Sequence, residues 1–167
     1  SSVNAGPITT FQKFAVISEN RLTKVPADTD FELCCLLADT LTTGFGVINN
    51  DAKVQRGESV VIFGVGGIGL GVVLGAKLAG ANPIIGVDLH DHKLAKAAEY
   101  GLTHQINASH EIAAERIKEI LGGLADVTID GTGNPKVIEA AYDLAKFRGG
   151  RCVLFGVMPH DERVNIH

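Results

Sequence analysis

Residues 64 to 69 read Gly64-Val65-Gly66-Gly67-Ile68-Gly69, which fits the spacing Gly-x-Gly-x-x-Gly. The chain has 20 glycines in 167 residues, about 12% against the roughly 7% of average usage, so the pattern alone is weak. Its setting makes it specific. It follows the run Val60-Val61-Ile62-Phe63 and opens a stretch of helical length, Gly67 to Leu78. An acidic residue, Asp88, ends the next apolar run about 20 residues on. Each position has a physical reason: Gly64 permits a tight turn, Gly66 lets the backbone approach a pyrophosphate, and Gly69 lets helix and strand pack closely. The unpaired N–H groups at a helix N-terminus carry partial positive charge and attract the two phosphates. Asp88 is suited to accept a hydrogen bond from a ribose hydroxyl, with Leu89 beside it in the same site. The expectation is a dinucleotide-binding cleft.

Asp88 also bears on which dinucleotide. A carboxylate there faces the extra phosphate of NADP, and such like-charge contacts cost several kcal/mol. At about 1.4 kcal/mol per tenfold, NAD is expected over NADP by at least about 100-fold, with Lys93 and His90 close enough in sequence to blunt the preference. Gly71 and Gly75 continue the glycine series into the helix. An interior helix Gly costs about 1 kcal/mol against Ala, so glycines at this density argue against a helix that packs on its strand with nothing bound.

The elements that must position these residues alternate. Val60 to Phe63 has no polar alternation, as expected of a strand covered on both faces. Ile84 to Val87, His104 to Asn107, Val127 to Ile129 and Cys152 to Phe155 read as four further strands. Between them fall helical patterns: Gly67 to Leu78, Asp91 to Tyr100 ended by Gly101, a segment after Ser109 with Ala113, Ile117, Ile120 and Leu121 on one face, and a segment after the cap Asn134-Pro135 running to Gly149-Gly150. Upstream, about Thr29 to Ala38 reads as a helix capped by Asp28 or Asp30. Thr43-Gly44 reads as an interruption, and Phe45, Val47 and Ile48 as a second short helix. Phe14 to Ile17 has the composition of a strand. Strand–helix alternation with short connections predicts an α/β fold, a doubly wound parallel sheet of Rossmann type with helices on both faces. Residues 1–28 are read as a linker and 29–167 as the domain.

Composition excludes several classes. Hydrophobic residues make up 46% and charged residues 20%, ordinary for a globular domain. The net charge is −4 with Lys and Arg scattered, so no basic face is expected for nucleic acid. No run approaches the roughly 18 consecutive apolar residues of a membrane helix, and Ser1 to Gly6 lacks the pattern of a signal peptide. The three cysteines, Cys34, Cys35 and Cys152, have no metal spacing and read as small buried hydrophobes in a reducing cytoplasm. The six histidines form no metal-binding set.

Taken together, these segments resemble the cofactor domain of the zinc-containing medium-chain alcohol dehydrogenases. The resemblance runs along nearly the whole chain: Phe11 to Val16 followed by Val25-Pro26, then Leu41-Thr42-Thr43-Gly44-Phe45-Gly46, Val54 to Glu58, and the glycine loop in its Gly-x-Gly-Gly-x-Gly form. It implies that Gly66, Gly67 and Ile68 meet the pyrophosphate and that Asp88 and Lys93 hold the adenosine ribose. It implies Thr43 at the nicotinamide, and Gly131-Thr132-Gly133 and Phe155-Gly156-Val157 flanking the cofactor from strand ends. Asp39 falls where many members place the Cys that is the third catalytic zinc ligand, which makes it a candidate metal ligand.

Nothing in the chain resembles the family's other two zinc ligands or its Cys-rich structural lobe. The expectation is a cofactor domain cut before a sixth strand, able to bind NAD(H) but inactive alone. In the full-length enzyme, zinc and NAD would serve hydride transfer to or from an alcohol or carbonyl carbon, and the enzyme would be a homo-oligomer. Two alternatives stay open: a zinc-free quinone or enoyl reductase of the same superfamily, against which Asp88 counts, and a non-catalytic NAD-sensing module.

Overall fold

A sheet whose strands are apolar on both sides needs helices above and below it. The computed structural model, which describes residues 13–166, builds that arrangement. The chain falls into two compact units, one ending at Cys34 and the other beginning at Cys35.

In the first unit the described residues hold a 3-10 turn, Glu19–Arg21, and the start of helix α1, Phe31–Leu37. Asp30 caps α1 as the sequence suggests, its Oδ1 accepting the Glu32 N–H at 2.8 Å. Phe14 to Ile17 is not a strand: among the described residues no segment pairs with it, and Phe14 and Val16 are exposed.

The second unit carries the sheet. Its strands are β1 Val60–Phe63, β2 Ile84–Asp88, β3 His104–Asn107, β4 Val127–Asp130 and β5 Arg151–Leu154. Its helices are α2 Thr40–Gly46, α3 Gly67–Ala79, α4 Asp91–Tyr100, α5 Ala113–Leu121 and α6 Pro135–Leu144. All neighbouring strands are parallel, in the order β3-β2-β1-β4-β5. The expected fold class is the one observed. Along β1 the side chains alternate between two cores. Val60 and Ile62 join residues of α3 and α4, including Val72, Val73, Ala76, Leu94 and Ala97. Val61 and Phe63 join Ile117 of α5 with Ala141 and Leu144 of α6. A run of hydrophobes without polar alternation is therefore what a central parallel strand requires.

Several elements differ from the sequence expectation. Thr43-Gly44 does not interrupt a helix but lies inside α2, which continues through a π-type turn, Val47–Asp51. Gly44 is there for contact: a Cβ would sit 2.4 Å from the carbonyl carbon of Gly71, and one on Gly71 would sit 2.7 Å from the Thr40 carbonyl oxygen. Gly71 and Gly75 thus serve the close packing of α2 and the π turn on α3, so part of the glycine excess belongs to helix packing. Ser109 does not cap α5, whose N-cap is Ile112; the Ser109 hydroxyl donates to the Leu89 carbonyl at 3.0 Å. Helix α6 stops at Leu144, well before Gly149-Gly150, because Ala145 turns extended and bridges to Ala125. The cysteines are less buried than expected: Cys35 is exposed, Cys34 and Cys152 half-buried.

The helical run Phe31–Asp51 has 21 residues and, by length and composition only, is long and apolar enough to cross a membrane. Polar residues from Glu32 to Asp51 interrupt the run, so it holds no stretch of about 18 consecutive apolar residues. Its later part is used otherwise, since Gly44, Val47 and Ile48 are buried in the sheet unit.

Candidate functional site

The strand order runs one way from β1 to β2 and β3 and the other way to β4 and β5. In open α/β sheets a crevice forms at that reversal, at the carboxyl ends of the strands. Here it is a cleft of about 850 Å³. Its floor is the turn from β1 into α3. Gly64 has φ +87, a backbone shape that L side chains rarely adopt, and it swings the chain out of the strand. Gly66 is the N-cap of α3, and a Cβ built on it meets nothing within 4 Å, so the cleft lies open against bare main chain. The N–H groups of Gly66, Gly67 and Ile68 find no acceptor among the described residues. Gly69 is different in kind: its Cβ would lie 2.2 Å from the Gly64 carbonyl oxygen, so it is needed to seat the helix on the turn.

Asp88 forms one wall. Its side chain is 8% exposed. Oδ2 accepts the Val65 N–H at 3.1 Å; Oδ1 accepts those of Leu89 and His90 at 2.8 and 3.1 Å. Three of the roughly four acceptor positions of a carboxylate are thereby filled. Lys93 Nζ stands 3.9 Å from Oδ1. On the other wall Phe155 lies over Gly131, where a Cβ would fall 2.3 Å from its ring.

The cleft brings together Gly64, Gly66, Gly67, Ile68 and Gly69 with Asp88, Leu89, Lys93, Gly131, Thr132, Phe155 and Asp39. Thr43, Gly133, Gly156 and Val157 are not in its lining. Thr43 stands behind Asp39, to whose Oδ1 its hydroxyl donates at 2.5 Å. Gly133 has φ +68 and packs on the Val157 backbone. Gly156 donates its N–H to the Asp130 carbonyl at 3.1 Å, and the Val157 side chain is exposed.

Sequence matching decides what this cleft belongs to. The sequence model described as "Zinc-binding dehydrogenase" matches residues 67–167. The chain belongs to that family. It is 40% identical over 158 residues to an S-(hydroxymethyl)glutathione dehydrogenase of Paracoccus denitrificans, covering 90% of this chain and 42% of that protein. To the alcohol dehydrogenase class-2 isozyme 2 of Oryctolagus cuniculus it is 35% identical over 161 residues, with 95% and 42% covered. Among solved structures, an alcohol dehydrogenase zinc-binding domain protein from Burkholderia ambifaria superposes with a TM-score of 0.84 at 34% identity, over 90% of this chain and 40% of that one. Benzyl alcohol dehydrogenase from Acinetobacter calcoaceticus gives 0.81 at 31%, over 86% and 40%. The chain thus spans about two fifths of the length of these relatives.

A zinc-binding dehydrogenase raises the question of the metal. Among the described residues no three His, Cys, Asp or Glu side chains lie close enough to hold one, and a catalytic zinc takes three protein ligands. Asp39 is a single carboxylate already accepting the Thr43 hydroxyl. The described residues do not compose a zinc site by themselves.

Sequence reasoning missed Asp130. It ends β4 fully buried, with Oδ1 accepting from the Thr132 N–H at 3.2 Å and hydroxyl at 2.6 Å, and Oδ2 from the Gly133 N–H at 3.0 Å. It thereby fixes the loop that presents Gly131 and Thr132 to the cleft. The signal was available: an acidic residue closing an apolar strand directly before Gly-Thr-Gly. Lys136 of α6 also lines the cleft, a placement that no motif in the sequence signals.

Proposed function

We propose that the cleft binds NAD(H) and that the chain is the cofactor-binding part of a dehydrogenase acting on an alcohol or carbonyl carbon. The observation that carries this reading is the open face of Gly66, where unpartnered main-chain N–H groups at the start of a 13-residue helix meet a cleft walled by one nearly buried carboxylate. Such a floor suits two phosphates, which need donors and a positive helix end. It also fits by space, since a Cβ at position 66 would stand in the cleft itself.

In this reading Gly66, Gly67 and Ile68 hold the pyrophosphate. Asp88 takes the adenosine ribose through its remaining acceptor position, and Lys93 steadies that carboxylate. Gly131, Thr132 and Phe155 hold the far wall, with Asp130 fixing their loop. The bound coenzyme supplies the hydride acceptor or donor; these residues bind and orient it. Two relatives, the Oryctolagus and Acinetobacter proteins, are named as alcohol dehydrogenases, which supports an alcohol or carbonyl substrate here.

Titrating NADH into this polypeptide and following nicotinamide fluorescence tests the reading. Saturable binding that NAD⁺ displaces is expected. Absence of binding by either form at about 1 mM would overturn it.

A further inference from the structure

Two carboxylates line the cleft, Asp88 and Asp39, and the helix layer above the sheet puts them on opposite halves. Asp88 ends β2. Helix α3 lies along β1 and β2, with α4 beside it over β2 and β3. On the other flank of α3 is α2, where Gly44 meets Gly71 and Thr40 Cγ2 stands 3.7 Å from a Cβ built on Gly67. Val47 and Ile48, in the π turn that continues α2, share a core with Val127 and Ile129 of β4 and with Val153 and Phe155 of β5. Asp39, directly before α2, therefore borders the β4–β5 half of the cleft beside its glycine floor. It is exposed, and its side chain does not cap the helix. Its Oδ1 accepts the neutral Thr43 hydroxyl at 2.5 Å. Among the described residues no cationic side chain pairs with it, and no set of metal ligands forms around it. Its charge is left open to whatever fills that half.

We propose that Asp39 distinguishes the oxidised coenzyme from the reduced one, its carboxylate favouring the cationic ring of NAD⁺ over the neutral ring of NADH. This rests on the reading of the cleft as an NAD site. With the adenosine at Asp88 and the pyrophosphate on the glycine floor, the other half of the dinucleotide runs across the reversal of strand order towards β4 and β5. That is the half Asp39 borders. The two coenzymes share their phosphates and adenosine and differ by one hydride, which discharges the ring. Repulsion between Asp39 and the phosphates is therefore common to both and cancels in the ratio of their affinities. Attraction between Asp39 and the ring is not common to both, and it remains.

The other charged groups around the cleft do not supply this preference. Asp130 is fully buried, with its oxygens taken by Thr132 and Gly133. Lys136 lines the cleft from α6 and opposes a cationic ring. Lys93 is held at Asp88, and His90 follows Asp88 on the adenosine side, where the two coenzymes are identical. Asp91 accepts a bond from Asn107 Nδ2 of β3 on that same side.

Calorimetric titrations of NAD⁺ and NADH into wild type, D39N and D39E test this, with EDTA present so that no stray metal neutralises the carboxylate. Asparagine keeps the acceptor for the Thr43 hydroxyl and removes only the charge. The ratio of the NAD⁺ Kd to the NADH Kd should rise about fivefold in D39N, the scale of one exposed ion pair. D39E, which restores the charge, should keep the wild-type ratio. In about 1 M salt the wild-type ratio should move to that of D39N, because an exposed pair is screened. A ratio equal in D39N and wild type, or a difference that salt leaves intact, overturns the proposal while the NAD reading stands. A ratio in D39E equal to that in D39N also overturns it, since shape and not charge would then select. Binding of neither coenzyme to any of the three proteins overturns both.

Discussion

The Asp88 carboxylate accepts the backbone N–H of Val65 at 3.1 Å, joining the end of one strand to the glycine turn that follows its neighbour. One acid therefore does two jobs, bracing the turn and presenting an acceptor to the cleft. Asp88→Asn replaces one of two accepting oxygens with a donating NH2, so whichever way the amide turns, at least one of the three backbone N–H groups faces another N–H. Loss of a bond to a charged acceptor costs about 1.5–3 kcal/mol. Urea unfolding of D88N should show a loss of that order. NADH affinity should fall about tenfold or more, with NADPH losing less. An unchanged ratio between the two would remove Asp88 as the selecting group.

Two glycines of the same loop should respond oppositely. Gly66→Ala places a methyl in open space at φ −70 and ψ −160, a conformation alanine adopts. Stability should change by about 1 kcal/mol or less, whereas nucleotide binding should weaken by at least about tenfold because the methyl occupies the cleft floor. Gly69→Ala drives a methyl to 2.2 Å from the Gly64 carbonyl oxygen and should cost about 1–3 kcal/mol or more. Thermal melts alongside NADH titrations read both effects. If G66A melts early while G69A does not, the assignment of the two glycines is reversed.

The same contrast explains what could be read in advance. Strand–helix alternation, the Gly64 turn and Asp88 at the end of β2 are local patterns, and periodicity exposes them. The roles of Gly44, Gly71 and Gly75 are not local. Their reason is a contact between α2 with its π turn and α3, and no spacing within either segment reveals it. Thr43-Gly44 reads as a break for that reason, since a glycine in a helix carries a propensity cost that only tertiary packing offsets. Phe14 to Ile17 differs the other way: strand composition gives no ladder where no strand among the described residues lies beside it. Asp130 escaped notice because its partners, Thr132 and Gly133, make sense only once the loop is folded around it.

Thiol chemistry should separate the three cysteines. Burial pushes the Cys152 thiol above its ordinary value; the Thr128 hydroxyl works against that shift and the Asp130 carboxylate adds to it. Cys35 is exposed. Since the thiolate is the reacting form, Ellman's reagent near pH 7.5 should modify Cys35 at least about tenfold faster than Cys152, with the difference lost in denaturant. A Cys152→Ser variant that loses the fast phase would contradict this.

At the opposite end of the sheet from the cleft, Asp126 ties β4 to the start of β1. Its Oδ2 accepts the Ser59 N–H at 2.9 Å and hydroxyl at 2.8 Å, and its Oδ1 pairs with Lys146. Burial alone would raise its pKa, but the bonds from Lys146 and Ser59 outweigh that and bring it from 3.8 to about 2. A carboxyl with a depressed folded pKa adds stability that is full above its unfolded value and lost as pH falls through the folded one. The window is therefore about pH 4 down to pH 2. A quarter of the side chain remains in water, so the contribution is discounted to about 1 kcal/mol. Asp126→Asn should be less stable than wild type in urea at neutral pH by at least that amount. The gap should narrow on acidification towards pH 2, where the wild-type carboxyl is itself largely protonated. A gap that stays constant from neutral pH to pH 2 would mean that the geometry of the Ser59 contact, and not the charge on Asp126, holds the two strands together there.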